Sequence, residues 1–416
     1  MDRFIGIIGI LFLFGLAYLF SADRRAIRWR TVGWGVVLQV VFALAVLRWP
    51  FGQWVLKQIA DFVTNVINYA GQGSSFVFGW LASDQTFLNK IPGHEPVGSI
   101  VFAFVVMPIV IFISSIFTIL YHLGIMQRVV KGMAILMAKT MGTSGSESLG
   151  SAANVFMGQT EAPIVIAPYI PTMTMSELLA LMIGGMATVS GAVLGAYINL
   201  GIDARYLLAG SVMAAPASLL IAKVLFPEKE KSVTAGKVTL NVEKTHVNVI
   251  DAAAAGAGQG AILVINILAM LIAFIAIISM ADGGLMWIGR HIGFPGLTLN
   301  WIFGQLFRWV ALIMGVPAKD SLAVGQLFGT KLVLNEFVAY IDLAKIQAVL
   351  SPKAKMIATF ALCGFANLSS IGIQIGGIGG LAPTRKQDLA RLGMRALLGG
   401  TIATFMTATL AGIIAG

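Results

Sequence analysis

Apolar runs of bilayer length recur along the whole chain, and they leave few folds open to it. Residues 4–20, 31–47, 97–120, 177–200, 206–226, 252–280, 355–380 and 396–414 are each predominantly apolar. About 20 such residues are what a helix needs to cross the hydrocarbon core of a membrane. A soluble domain has no room to bury them all. With 58% hydrophobic and 11% charged residues and a mean hydropathy of +0.88, the chain reads as an all-α polytopic membrane protein with eight transmembrane helices.

Two stretches fit neither a plain span nor a loop. Gly158-Gln159-Thr160-Glu161-Ala162-Pro163 sets an amide, a hydroxyl and a carboxylate side by side in an apolar run, between a glycine and a proline that interrupt helix. Broken backbone at membrane depth is tolerated only where protein buries it or a watery cavity meets it. The region 143–171 therefore reads as a re-entrant hairpin entered from the cytoplasm. Asn335-Glu336-Phe337-Val338-Ala339-Tyr340 repeats the pairing of amide and carboxylate, and 299–350 reads as a second hairpin, entered from outside. Each stretch is followed by an interrupted span, at Ala187-Thr188-Val189-Ser190-Gly191 and at Ala366-Asn367-Leu368-Ser369-Ser370. Interrupted segments at matching places in two halves mark the binding site of a transporter.

Charge sets the orientation. Arg24, Arg25, Arg28 and Arg30 directly follow the first run, which makes that run a retained span and not a cleaved leader. Arg128, Lys131 and Lys139 fall on an amphipathic helix, Lys229, Lys231, Lys237 and Lys244 in a polar linker, and Arg385, Lys386, Arg391 and Arg395 between the last two spans. With both hairpins counted as re-entrant, all four clusters lie in the cytoplasm of a bacterial cell and both termini lie outside the inner membrane. The region 49–96 is then external, and its 53–69 part has the spacing of a helix that either lies on the membrane surface or packs under the bundle. The chain divides into 1–121, mainly scaffold; 122–226, the first half of a transport domain; the linker 227–250; the sixth span, 251–298; and the second half, 299–416.

Other functions are disfavoured by what the chain carries. The net charge of +10 is spread over short clusters between apolar runs, not gathered on a basic face, which argues against a nucleic-acid partner. The single cysteine, Cys363, allows no internal disulfide and no multi-thiolate metal site. The four histidines form no HExxH, and the glycine-rich run 371–381 lacks the Gly-Lys-Ser/Thr of a phosphate loop. No Ser/His or Asp/Asp arrangement supports an intramembrane enzyme. A passive pore and a proton-coupled carrier remain open on the residues alone.

Gly158-Gln159-Thr160-Glu161-Ala162-Pro163, Asn335-Glu336-Phe337-Val338-Ala339-Tyr340 and Gly364-Phe365-Ala366-Asn367-Leu368-Ser369-Ser370 occur in this order in a chain that closely resembles the concentrative nucleoside transporters over nearly its full length. The resemblance implies a homotrimer whose subunits each divide into a scaffold and a moving transport domain. It implies a nucleoside such as uridine as substrate and sodium as coupling ion. Gln159, Thr160 and Glu161 would contact the base, with Val193 and Phe365 lining it. Glu336, Asn367 and Ser370 would hold the ribose hydroxyls. The side chains of Asn154 and Thr188 and the carbonyls of Met157 and Val189 would bind sodium. The family more often has serine where Thr188 stands, and either residue offers a hydroxyl.

These roles suit the chemistry. A nucleoside is uncharged but carries donors and acceptors on its base and vicinal hydroxyls on its sugar, so its site needs fixed amides, hydroxyls and carboxylates. Hydrogen bonds from ribose hydroxyls to a carboxylate are each worth about 1.5–3 kcal/mol. The residues alone allow plainer readings: a carboxylate that ties a turn at Glu161, and interhelical hydrogen bonds at Asn367 and Ser370. Arg308, Lys319 and Asp320 receive no role.

Overall fold

The computed structural model describes residues 2–83, 102–236 and 246–415, and every regular element among them is helical. Part of the expected external region, the start of the third expected span and the middle of the linker lie outside the described residues. Among those described, six helical stretches are long and apolar enough to cross a membrane: Trp29–Leu47, Ala103–His122, Met175–Asn199, Ala204–Leu225, Val249–His291 and Pro383–Ala415.

The chain opens with α1 (Asp2–Leu19) and α2 (Trp29–Leu47), joined by the arginine loop. In that loop Asp23 pairs with Lys229 of the linker at 2.5 Å. The Lys229 hydrogen bond holds the Asp23 carboxyl below its ordinary range, and it brings two of the basic clusters together. The next helix, α3 (Pro50–Phe78), starts on a proline and buries Ala60, Ile67, Ala70 and Ser74. That spacing is a single narrow stripe, so the rest of α3 faces outward.

Two long helices form a pair. α4 (Met107–His122) packs along α11 (Val249–His291), whose buried residues Ala252, Gly256, Gly260, Val264, Ile267 and Leu271 make one stripe. A Cβ at Gly260 would lie 2.7 Å from the Ile111 Cα, so small residues are what let the two backbones meet. The hydroxyl of Ser115 donates to the Ala253 carbonyl at 2.9 Å across the same seam. At 43 residues α11 is about 65 Å long, well beyond the expected span 252–280. α4 is followed by α5 (Ile125–Met141), bounded by left-handed Gly124 and Gly142, with Arg128, Lys131 and Lys139 exposed.

The remaining helices form two sets in the same order. The first runs α6 (Gly145–Asn154), a turn, the short α7 (Ala162–Val165), α8 (Met175–Ala187), a break, α9 (Gly191–Asn199) and α10 (Ala204–Leu225). The second runs α13 (Ser321–Val333), a turn, α14 (Glu336–Ile346), α15 (Pro352–Leu362), a break, α16 (Leu368–Leu381) and α17 (Lys386–Ala415). α12 (Leu299–Ile313), within the stretch read as the second hairpin, is a separate helix. It ends at Gly315, whose φ of +91° reverses the chain, and it lies close along α13, where a Cβ at Gly325 would come 2.7 Å from the Arg308 nitrogen. α1 packs on α17, and α2 on α10, not on the α4–α11 pair.

The two breaks cross. The Phe365 N–H donates to the Thr188 carbonyl at 3.3 Å, so each interrupted helix helps satisfy the other's backbone. Gly364 permits the crossing, because a Cβ there would lie 2.7 Å from Thr404 Cγ2 and 2.8 Å from the Met186 carbonyl oxygen. Gly364→Ala should therefore cost about 1–3 kcal/mol by forcing packed backbone apart. Gly258→Ala, which meets open space, should cost almost nothing. Thermal melts of the two purified variants check this difference.

Candidate functional site

Each polar tip is built by local hydrogen bonds. After α6 the chain turns, and Glu161 folds back so that its Oε2 accepts the Gly158 N–H at 2.5 Å. One carboxylate oxygen thus ties the turn, as the plainer reading of Glu161 held, and the residue still lines a cavity. Gln159 Nε2 reaches across to the other half and donates to Ser370 Oγ at 3.0 Å. Its Oε1 is buried without a partner. Thr160 packs on Gly377, where a Cβ would lie 3.0 Å from its methyl group.

The second tip is tighter. Asn335 caps α14 by accepting the Val338 N–H at 2.9 Å, which sets Glu336 in the first helical turn, where the helix dipole favours an anion. Glu336 Oε1 accepts the Tyr197 hydroxyl at 3.1 Å and Oε2 accepts Asn367 Nδ2 at 3.0 Å. Asn367 caps α16 in turn, its Oδ1 accepting the Ser370 N–H at 2.9 Å and the Ser369 hydroxyl at 2.7 Å.

These groups enclose one cavity of about 100 Å³. Glu161, Ser190, Asn335 and Asn367 stand at the N-termini of α7, α9, α14 and α16, and all four line it. The cavity is therefore faced by the positive ends of three half-helices, α9, α14 and α16, with the single turn of α7 beside them. Its other wall is apolar: Val193, Phe337, Phe365 and Ile373, with Leu263, Ile267 and Met270 of α11. Gln159, Thr160, Glu161, Val193, Glu336, Phe365, Asn367 and Ser370, the eight residues singled out from the sequence for substrate, all lie on its lining. A second space of about 70 Å³ shares Glu161 and Ser190 and continues between Thr118, Tyr121 and Gln259.

The four residues expected at sodium gather beside this cavity. Asn154 is fully buried, and neither its Oδ1 nor its Nδ2 has a hydrogen-bond partner. It adjoins Gly184, where a Cβ would lie 2.9 Å from Nδ2. Thr188 Oγ1 donates to the Gly184 carbonyl at 2.9 Å, keeping its lone pairs. The Gly191 N–H donates to the Phe156 carbonyl at 3.0 Å and lays 156–158 against 189–191. Among the described residues the carbonyls of Met157 and Val189 accept no backbone hydrogen bond. An unpaired buried amide beside free carbonyls suits a small hard cation, which binds to oxygens.

A larger cavity of about 330 Å³ lies at the foot of α6, but its main charges already serve the fold. Lys223 pairs with Glu147 at 2.6 Å, and Glu147 accepts the Ser144 N–H at 2.7 Å to cap α6. Asp320, unassigned from sequence, likewise accepts the Ser351 hydroxyl at 2.5 Å and ties α13 to α15. Arg308 donates to Gln305 at 3.2 Å and stacks over Trp309, while Lys319 is exposed.

A polar, dipole-ringed cavity between two broken-helix halves of an apolar bundle is the site of a multi-pass membrane transporter for a polar solute. Comparison with known proteins gives its family. A profile described as the sodium-dependent nucleoside transporter C-terminus matches residues 206–412, the corresponding N-terminal profile matches 8–81, and one described as nucleoside recognition matches 103–203. An uncharacterized transporter of Haemophilus influenzae is 45% identical over 99% of this chain and 97% of its own. Solute carrier family 28 member 3 of Homo sapiens is 40% identical over 98% of this chain and 59% of its own. The solved structure of CNTnw in an inward-facing substrate-bound state superposes with a TM-score of 0.93 at 42% identity, covering 100% of this chain and 98% of that one. The chain belongs to the concentrative, sodium-dependent nucleoside transporters, a family of transporters and not of enzymes.

Tyr197 was missed from sequence although it carried a signal, a phenol in an otherwise apolar segment close after a break. Leu263, Ile267 and Met270 carried none, being apolar residues on an apolar helix. Tyr197→Phe leaves one oxygen of buried Glu336 without its donor and should lower stability by about 1.5–3 kcal/mol. A thermal melt of the purified variant checks it.

Proposed function

We propose that this protein imports nucleosides such as uridine into a bacterial cell by symport with sodium. The observation that carries the reading is the convergence of both polar tips on one cavity, with Glu336 held as a paired acceptor at one end and Gln159, Thr160 and Glu161 at the other. On this reading Glu336, Asn367 and Ser370 take the ribose hydroxyls and the first tip takes the base, with Val193 and Phe365 against its faces. Sodium binds through Asn154 Oδ1, Thr188 Oγ1 and the carbonyls of Met157 and Val189. Because Asn154 ends the helix that carries the first tip, an ion there fixes the tip, and each ligand raises the affinity of the other.

Eight spans and two oppositely oriented re-entrant hairpins, with both termini outside the inner membrane, follow from the basic clusters. The hairpins, α6 with α7 and α13 with α14, move with the broken helices as a transport domain against a scaffold built on the α4–α11 pair, in a homotrimer. The size of the cavity supports movement: about 100 Å³ is below the roughly 300–1,000 Å³ of ligand sites, so a nucleoside enters only as the wall formed by α11 gives way.

Uptake of labelled uridine into proteoliposomes should be concentrative under an inward sodium gradient. Equal uptake without sodium would remove the coupling claim, and uptake driven by a pH gradient in sodium-free buffer would replace it with proton coupling. Glu336→Gln should lower affinity for uridine about 10-fold or more while narrowing its advantage over 2′-deoxyuridine. Asn154→Ala should raise the half-saturating sodium concentration about 10-fold while the protein still binds uridine at high sodium.

A further inference from the structure

The second half contains a cation of its own. Lys331, in the last turn of α13, is 1% exposed. Its Nζ donates to the Ala361 carbonyl at 2.6 Å and to Thr404 Oγ1 at 3.2 Å, with the Phe405 ring centroid 6.0 Å away. The Thr404 hydroxyl donates to the Thr401 carbonyl at 3.0 Å, so it meets the ammonium with a lone pair. Among the described residues no carboxylate forms an ion pair with Lys331. A fully buried ammonium without one is expensive, and here it is held by a helix-terminal carbonyl, a hydroxyl and a ring face, the kind of donors that hold a free monovalent cation.

Its place matches that of the ion residues in the first half. Asn154 ends α6 and adjoins Gly184, in the last turn of α8, just before the first break. Lys331 sits in the last turn of α13 and binds Ala361, in the last turn of α15, just before the second break. Equivalent positions carry opposite solutions. The first leaves a buried amide unpartnered, and the second fills the space with a covalently attached charge.

We propose that Lys331 is a tethered cation standing in the second half where a free ion binds in the first, holding the second tip, and with it Glu336, to its broken helix. Glu336 follows shortly on the other side of that tip and is itself buried, so the two opposite charges of this tip share one dry interior. The assignment rests on the sodium-symport reading and extends it. One half needs an ion from solution in each cycle, while the other carries its positive charge in both directions.

The test uses the full-length protein in lipid nanodiscs as wild type, Lys331→Met, Glu336→Gln, and the double variant. Equilibrium binding in saturating sodium compares uridine with 2′-deoxyuridine. Wild type should prefer uridine about 10-fold or more, and Lys331→Met should reduce that preference to below about 3-fold. A Lys331→Met protein that keeps the full wild-type preference overturns the proposal, because a strut that only fills space would leave ribose selectivity alone. Melting temperatures supply the second arm. Each single variant strands one buried charge, so the double variant should melt above both; melting at or below the lower single variant overturns the pairing. Should Lys331→Met not fold, recovery of a folded protein by adding Glu336→Gln supports the proposal, and failure of both overturns it. If wild type itself bound no nucleoside in sodium, the transport reading would fall, and the melting arm would still judge Lys331 and Glu336 as a pair.

Discussion

A helix interrupted inside a membrane must find partners for the peptide groups it frees, since the hydrocarbon offers none. In this protein each interruption is completed by another. The Phe365 N–H meets the Thr188 carbonyl, the Gly191 N–H meets the Phe156 carbonyl, and the Ala361 carbonyl meets the Lys331 ammonium. The half-helices can therefore begin in mid-bundle, and their N-termini face one another across a shared space. The polar cavity is a product of that mutual completion, because the residues that cap the half-helices, Ser190, Asn335 and Asn367, are also its lining.

That double duty explains why the site was so legible. A polar residue within an apolar run stands out in one dimension, and Gln159, Thr160, Glu161 and Glu336 were found in that way, whereas Val193, Phe365, Asn367 and Ser370 took their roles from the family resemblance. The eight candidates fall on one cavity although the sequence alone gives no distance between the halves. The apolar wall was illegible for the converse reason. Leu263, Ile267 and Met270 differ in no chemical respect from the lipid-facing residues of the same helix, and only the packing of α11 shows which face they share. One helix boundary was misread for a different reason: Gly315, Pro317, Lys319 and Asp320 do mark the end of α12, but they read as breaks within one hairpin until the positive φ of Gly315 shows a reversal between separate helices.

The two halves are alike in order but not in chemistry. The first tip is held loosely, with one oxygen of Glu161 on a backbone amide and the amide of Asn154 left without partners. The second is saturated: Glu336 has donors on both oxygens, and Lys331 is bound on two sides. A loosely held element responds to a ligand that completes it, whereas a saturated one presents fixed geometry. On the transport reading proposed above, sensing and gripping are in this way divided between the halves.

The wall that α11 gives to the cavity has one more consequence. Leu263, Ile267 and Met270 have no side-chain donor or strong acceptor, so nothing on that side latches to the polar tips. If the tips travel past α11 as proposed, the two surfaces would meet as a lubricated bearing does, with many weak contacts remade at each step. Displacement along such a face would leave no polar group stranded on the α11 side at intermediate positions, whether the pocket is loaded or empty.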